Sequence, residues 1–104
     1  PAGSQKVSVK KVTLKSVKNK KGRKALVNWK KVSNASGYAI QYSTSKKFKK
    51  PVTVKVKKAK TTSTILKKLK KGKTYYVRVR AYKTVNGTIY YGKYSSVKKV
   101  RIKK

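Results

Sequence analysis

Residues 69–91 read L-K-K-G-K-T-Y-Y-V-R-V-R-A-Y-K-T-V-N-G-T-I-Y-Y. Apolar and polar residues alternate through this stretch, break at Asn86-Gly87 and resume beyond it. A two-residue turn that matches the right-handed twist of its flanking strands is type I′, which needs φ > 0 at both central positions. Asn-Gly tolerates that region best, so this dipeptide between alternating runs specifies a β-hairpin. The register follows directly: Val85 opposes Thr88, Thr84 opposes Ile89, Lys83 opposes Tyr90 and Tyr82 opposes Tyr91.

The same two-residue period recurs along the rest of the chain. Residues 11–17 alternate with Val12 and Leu14 on one face, and a turn over 19–23 centres on Gly22. Residues 24–30 place Ala25, Val27 and Trp29 together, with Leu26 and Asn28 opposite. After a loop at 32–36, residues 37–43 point Tyr38, Ile40 and Tyr42 inward. A polar connection over 44–50 carries Phe48, and Pro51 sits at the start of the next strand, where proline is tolerated. Residues 52–57 alternate most cleanly, with Val52, Val54 and Val56 expected inside and Thr53, Lys55 and Lys57 outside. A short strand is expected over 61–66, a loop over 92–96 and a last strand over 97–103. In that last strand Val97 is out of phase with Val100 and Ile102, which predicts a bulge or a late start. Seven short strands, punctuated by turn signals roughly every ten residues, predict an all-β, seven-stranded sandwich.

Charge is the second constraint. Of 104 residues 33 are Lys or Arg, and Asp, Glu, His, Cys and Met are absent. Salt bridges between side chains are therefore impossible. An 11.7 kDa chain is one domain and should fold to roughly 5,900 Å² of surface. The cations then sit about 13 Å apart, beyond the Debye length of about 8 Å at physiological salt and inside the ~30 Å at 0.01 M. Added salt is expected to stabilise the domain. Stability should also be nearly flat down to about pH 2, because acid denaturation works mainly by protonating carboxylates and buried His.

The same inventory bounds function. With no carboxylate pair, no His base and no metal-ligand cluster, neither catalysis nor a cofactor or metal site is expected; only a Ser–Lys arrangement is formally available. The glycines are too scattered for a phosphate loop and read as turn residues. Asn34-Ala35-Ser36 and Asn86-Gly87-Thr88 match the glycosylation sequon but read more strongly as turns. No run of 18 apolar residues is present. Residues 1–8 look like a linker or cloning scar, with the domain itself at 9–104.

Three features resemble the fibronectin type III family. They are Trp29 at the end of A-L-V-N-W, the run Gly37-Tyr38-Ala39-Ile40-Gln41-Tyr42, and Leu69…Gly72…Tyr75 followed by Val77-Arg78-Val79-Arg80-Ala81. The resemblance implies that Tyr75 is the tyrosine-corner residue, its hydroxyl bonding back to nearby backbone. Lys71 departs from the pattern, where the family often has Pro. More closely, W-K-K-V at 29–32, A-S-G-Y at 35–38, I-Q-Y-S-T-S-K-K-F at 40–48 and Y-Y-V-R-V-R-A-Y-K at 75–83, with N-G at 86–87 and Y-Y-G at 90–92, resemble lysine-rich repeats of secreted or cell-surface proteins of Gram-positive anaerobic bacteria. That implies a spacer or adhesion module and a secreted or cell-surface location. The family's integrin loop needs Arg-Gly-Asp, and this chain has no Asp.

In that topology one strand presents Tyr76, Arg78, Arg80 and Tyr82 outward. Its expected neighbours on the same face are Gln41, Lys55, Lys57, Lys99, Arg101 and Lys103. Arg binds phosphate bidentately and Tyr stacks on bases or sugars. The expected partners are polyanions, namely nucleic acid, teichoic acid and heparin-like glycans, together with anionic membrane surfaces. A monomer is expected. The alternative is a supercharged scaffold, natural or engineered, that binds nucleic acid or membranes and promotes cell uptake.

Overall fold

In a computed structural model the chain is described over residues 9–103; the segment 1–8 expected to be a linker lies outside them. Eight strands are present among the described residues: β1 Leu14–Lys20, β2 Lys24–Trp29, β3 Gly37–Ser43, β4 Val52–Val56, β5 Ser63–Leu66, β6 Thr74–Val85, β7 Thr88–Tyr91 and β8 Lys98–Arg101. They form two antiparallel sheets. One runs β1-β2-β5; the other runs β4-β3-β6-β7, with β8 also paired to β6. The seven expected strands are all found. The eighth, β7, is the return arm of the Asn-Gly hairpin.

That hairpin adopts the expected register at all four pairs. Asn86 and Gly87 have φ of 50° and 81°, as the turn type requires. β7 and β8 line the same edge of β6, joined by an irregular segment. Between Tyr82–Tyr91 and Val77–Lys98 the returning chain takes seven steps where β6 takes five. Ser95 bridges the gap. Its N–H donates to the Val79 carbonyl (2.7 Å), and its Oγ accepts from the Val79 N–H (2.9 Å). The phase break at Val97 is thus a wide irregularity followed by a late strand start at Lys98.

The core lies between the sheets. Ala25, Val27 and Trp29 from β2 meet Tyr38 and Ile40 from β3, Tyr75, Val77, Val79 and Ala81 from β6, Val100 from β8 and Ile102 just beyond it. These are the inward positions that the alternation predicts. Trp29 and Tyr38 pack at 5.3 Å between ring centroids. The buried Tyr38 hydroxyl accepts from the Val32 N–H (3.0 Å) and donates to the Ala59 carbonyl (2.9 Å). Leu69 and Tyr75 form the corner, where the Tyr75 hydroxyl accepts from the Lys70 N–H at 2.8 Å. The corner closes with Lys71 in place of Pro because the bond needs only the Lys70 N–H.

Three expectations are corrected. Strand β1 starts three residues later than expected and runs on to Lys20, with an irregularity between Leu14 and Ser16. The turn shortens to 21–23, where both Gly22 and Arg23 take left-handed φ. Val52 is 48% exposed rather than inside. β4 is the edge of the wider sheet, and only Val54 and Val56 reach the core opposite the narrower one.

Candidate polyanion-binding face

Strand register arranges the outer face of the larger sheet in rows. Lys55, Ala39 and Arg80 share one; Thr53, Gln41 and Arg78 the next; Ser43, Tyr76 and Lys99 a third; Thr74 and Arg101 a fourth. Successive rows are two residues apart, about 6.7 Å. Lys55, Lys99 and Arg101 are exposed there. Lys57 follows the end of β4 and Lys103 the end of β8, at opposite ends of the face, about 33 Å apart at strand rise. Lys103 also belongs to another edge, since its N–H donates to Asn19 Oδ1 on β1. The nine expected residues therefore form a long strip, not one compact site.

Within the strip, Arg78 and Arg80 are half-buried and already engaged. The Arg78 guanidinium lies between the rings of Phe48 (4.1 Å) and Tyr94 (3.9 Å). Two of its nitrogens, Nε and a terminal NH₂, donate to Gln41 Oε1. The Arg80 guanidinium lies on Tyr91 (3.8 Å) and Tyr94 (4.5 Å). The order along the sheet is Phe48, Arg78, Tyr94, Arg80, Tyr91. Strand geometry explains it: residues two apart on one strand face sit about 6.7 Å apart, which admits one ring between two planar cations. Arg80 Nε is buried with no partner among the described residues.

Tyr82 is on the expected face but is buried at 5% exposure, which removes it as a stacking platform. Its hydroxyl end covers Gly37, where a Cβ would come within 2.6 Å of that hydroxyl and collide with the Val56 carbonyl. Tyr91 packs beside it at 6.2 Å and the Lys55 ammonium sits 5.4 Å from its ring. Tyr76 is different: no ring or cation is stacked on it among the described residues.

Phe48 and Tyr94 were not among the expected face residues. Phe48 arrives on the 44–50 connection with φ of 56°, a rare conformation for a bulky side chain. Tyr94 reaches the face because the irregular segment between β7 and β8 carries surplus residues. Neither position follows from two-residue alternation; the usable signal is the Arg-x-Arg spacing itself, which leaves a ring-sized slot.

A fibronectin type III domain model matches residues 10–97. The chain is similar to the FN1-FN3 domains of chicken CNTN1, with 26% identity and a TM-score of 0.77 over 91% of this chain and 32% of that one. This chain thus spans about a third of that structure's length. It is also similar in fold to the fn3 domain of human contactin 1, with 20% identity, TM-score 0.73, and coverage of 99% and 90%. A third structure is an Fn3-like protein from Clostridium thermocellum, with 20% identity, TM-score 0.68, and coverage of 93% and 94%. No curated protein matches. Domains of this kind are generally non-catalytic structural and binding modules, common in extracellular and cell-surface proteins. From the matched residues, the two-sheet topology and the Tyr75 corner together, the chain belongs to the fibronectin type III family.

Proposed function

We propose that this domain is a non-catalytic spacer or adhesion module of a secreted or bacterial cell-surface protein, and that it holds polyanions by charge. The observation that carries the reading is the acid-free composition: 33 cations and no side-chain carboxylate to compete for them. The electrostatic term comes from the exposed cations, Lys55, Lys57, Lys99, Arg101 and Lys103 on this face and lysines elsewhere. Arg78 and Arg80 add charge from within the aromatic stack. At this charge density the chain is a monomer, since two copies repel. Binding by counterion release weakens linearly in log affinity with log salt concentration.

The test is titration of duplex DNA, heparin, teichoic acid and anionic vesicles at 50, 150 and 300 mM NaCl. Affinities for all four should fall steeply as salt rises. Absence of binding at 50 mM, or affinities that do not change between 50 and 300 mM, refutes the electrostatic reading. Sedimentation at 150 mM NaCl should give a single species of monomer mass.

A further inference from the structure

An open cleft of about 380 Å³ lies on the cationic face at the row that pairs Tyr76 with Lys99, lined by Lys46, Tyr76, Val97 and Lys99. Its volume falls within the range of small-ligand sites. Tyr76 and Lys99 are cross-strand partners on β6 and β8, so their positions are held by the sheet ladder. Val97 is 47% exposed, projecting from the residue just before β8. Lys46 comes from the 44–50 connection, which is pinned rather than loose. Ser43 Oγ donates to the Lys49 carbonyl (2.7 Å) and accepts from the Ser45 N–H (3.0 Å), and the buried Phe48 ring caps Arg78.

The lining dictates the occupant. Two ammonium groups are donors only, and no side-chain carboxylate exists anywhere in the chain to accept from a ligand N–H. An occupant is therefore rich in acceptors and anionic. Tyr76 and Val97 supply an apolar wall, which calls for a ring with an apolar face rather than a bare inorganic ion. Single-stranded nucleic acid needs successive aromatic platforms for successive bases. Here the next aromatics along the face, Phe48, Tyr94 and Tyr91, have guanidinium groups stacked on them. One free platform beside two ammonium groups fits one sugar ring. We propose that this cleft binds a single sulfated or carboxylated pyranose unit of an anionic polysaccharide. The proposal rests on the polyanion reading above and adds a specific subsite to it.

The experiment is calorimetric titration of the whole domain at 150 mM NaCl with a heparin-derived tetrasaccharide, an oligo-dT of equal charge, and inorganic polyphosphate. Tyr76→Thr removes the ring and keeps a strand-compatible residue. It should weaken the tetrasaccharide about 10-fold, the lower part of the range for one stacked ring, and leave oligo-dT and polyphosphate within about twofold. A second pair of variants guards against a folding defect at Tyr76. Lys46→Gln with Lys99→Gln should cost the tetrasaccharide at least about fivefold more than Lys18→Gln with Lys20→Gln on the opposite sheet, the excess expected of a located charge pair over a diffuse one. Equal losses in the two lysine pairs, or equal losses of tetrasaccharide and oligo-dT in Tyr76→Thr, overturn the subsite. If the unaltered domain binds none of the three probes, the broader polyanion reading fails instead.

Discussion

Arg78→Lys separates the geometry of the aromatic stack from its charge. The substitution keeps the formal net charge at +33, so self-repulsion and long-range attraction stay the same. What changes is shape. A guanidinium presents two flat faces and in-plane donors; an ammonium presents neither. Arg78 uses both faces, against Phe48 at 4.1 Å and Tyr94 at 3.9 Å, while two nitrogens donate to Gln41 Oε1. Each cation–π contact at a half-buried position contributes about 1 kcal/mol, and a hydrogen bond from a charged donor about 1.5 kcal/mol. Lysine can recover one ring contact or the bond to Gln41, but not the sandwich. The net loss is about 2 kcal/mol, and the Tm of a domain this size should fall by about 8–16 °C. Urea unfolding at 150 mM NaCl should show a lower midpoint with an unchanged slope. A double-mutant cycle with Gln41→Ala should give a coupling of about 1 kcal/mol. A Tm within 2 °C of the parent, together with zero coupling to Gln41, would refute the claim that the stack holds this face together.

Three further outcomes follow from the same structure. With 33 cations on 7218 Å² of surface, the mean spacing is about 15 Å, so Tm measured by circular dichroism should rise between 10 and 500 mM NaCl; a constant Tm contradicts this. The pH profile should lack an acid transition near pH 4, since no side-chain carboxylate is present. Burial, and secondarily Tyr75, raises the Tyr42 hydroxyl above its ordinary value of 10.0; the fold favours the neutral form, so that contribution is complete below pH 10 and lost as pH climbs through the folded-state value. Urea midpoints across pH 2–11 test both arms, and a Tyr42→Phe variant should lose the alkaline one. Finally, Gly37→Ala drives a methyl group into the Val56 carbonyl and to 2.6 Å from the Tyr82 hydroxyl, which should cost about 3 kcal/mol by overpacking; a loss below 0.5 kcal/mol in urea unfolding would mean that the strands open freely there.

How much of this was legible in the sequence depends on which interactions are local. The β6–β7 register follows from Asn86-Gly87 alone, and the inward set Tyr75, Val77, Val79 and Ala81 follows from parity. The tyrosine corner follows from the resemblance, because Leu69, Gly72 and Tyr75 sit within one short motif. The candidate face was legible only as a direction. Parity says that Tyr82 points away from the core but not that Tyr91 and Lys55 will cover it. Parity likewise places Val52 inward, but burial needs a strand opposite, and β4 lies at the edge of a wider sheet. Phe48 and Tyr94 meet Arg78 from sequence positions 30 and 16 residues away, on segments with no regular period. No pattern of period two reports such a meeting.

The stack also bears on how a chain without acids maintains a packed cationic sheet. The partner that matches a guanidinium best is a carboxylate, which accepts from it bidentately. Here that partner does not exist, and its role is divided between ring faces and an amide oxygen. The division requires arginine. Planar guanidinium layers alternate with rings and donate in their own plane, whereas an ammonium is a compact, strongly hydrated point charge with no flat face to layer between two rings. The chain has four arginines, and two of them, Arg78 and Arg80, occupy the stack in the centre of β6. The lysines that share the face without a ring beneath them, Lys57, Lys99 and Lys103, are exposed, with heads that stay in water. The two cation types are therefore not interchangeable on this surface. Arginine and its aromatic partners hold the face together, while the exposed lysines remain free to meet an anion, and Tyr76 stands where the two regimes join.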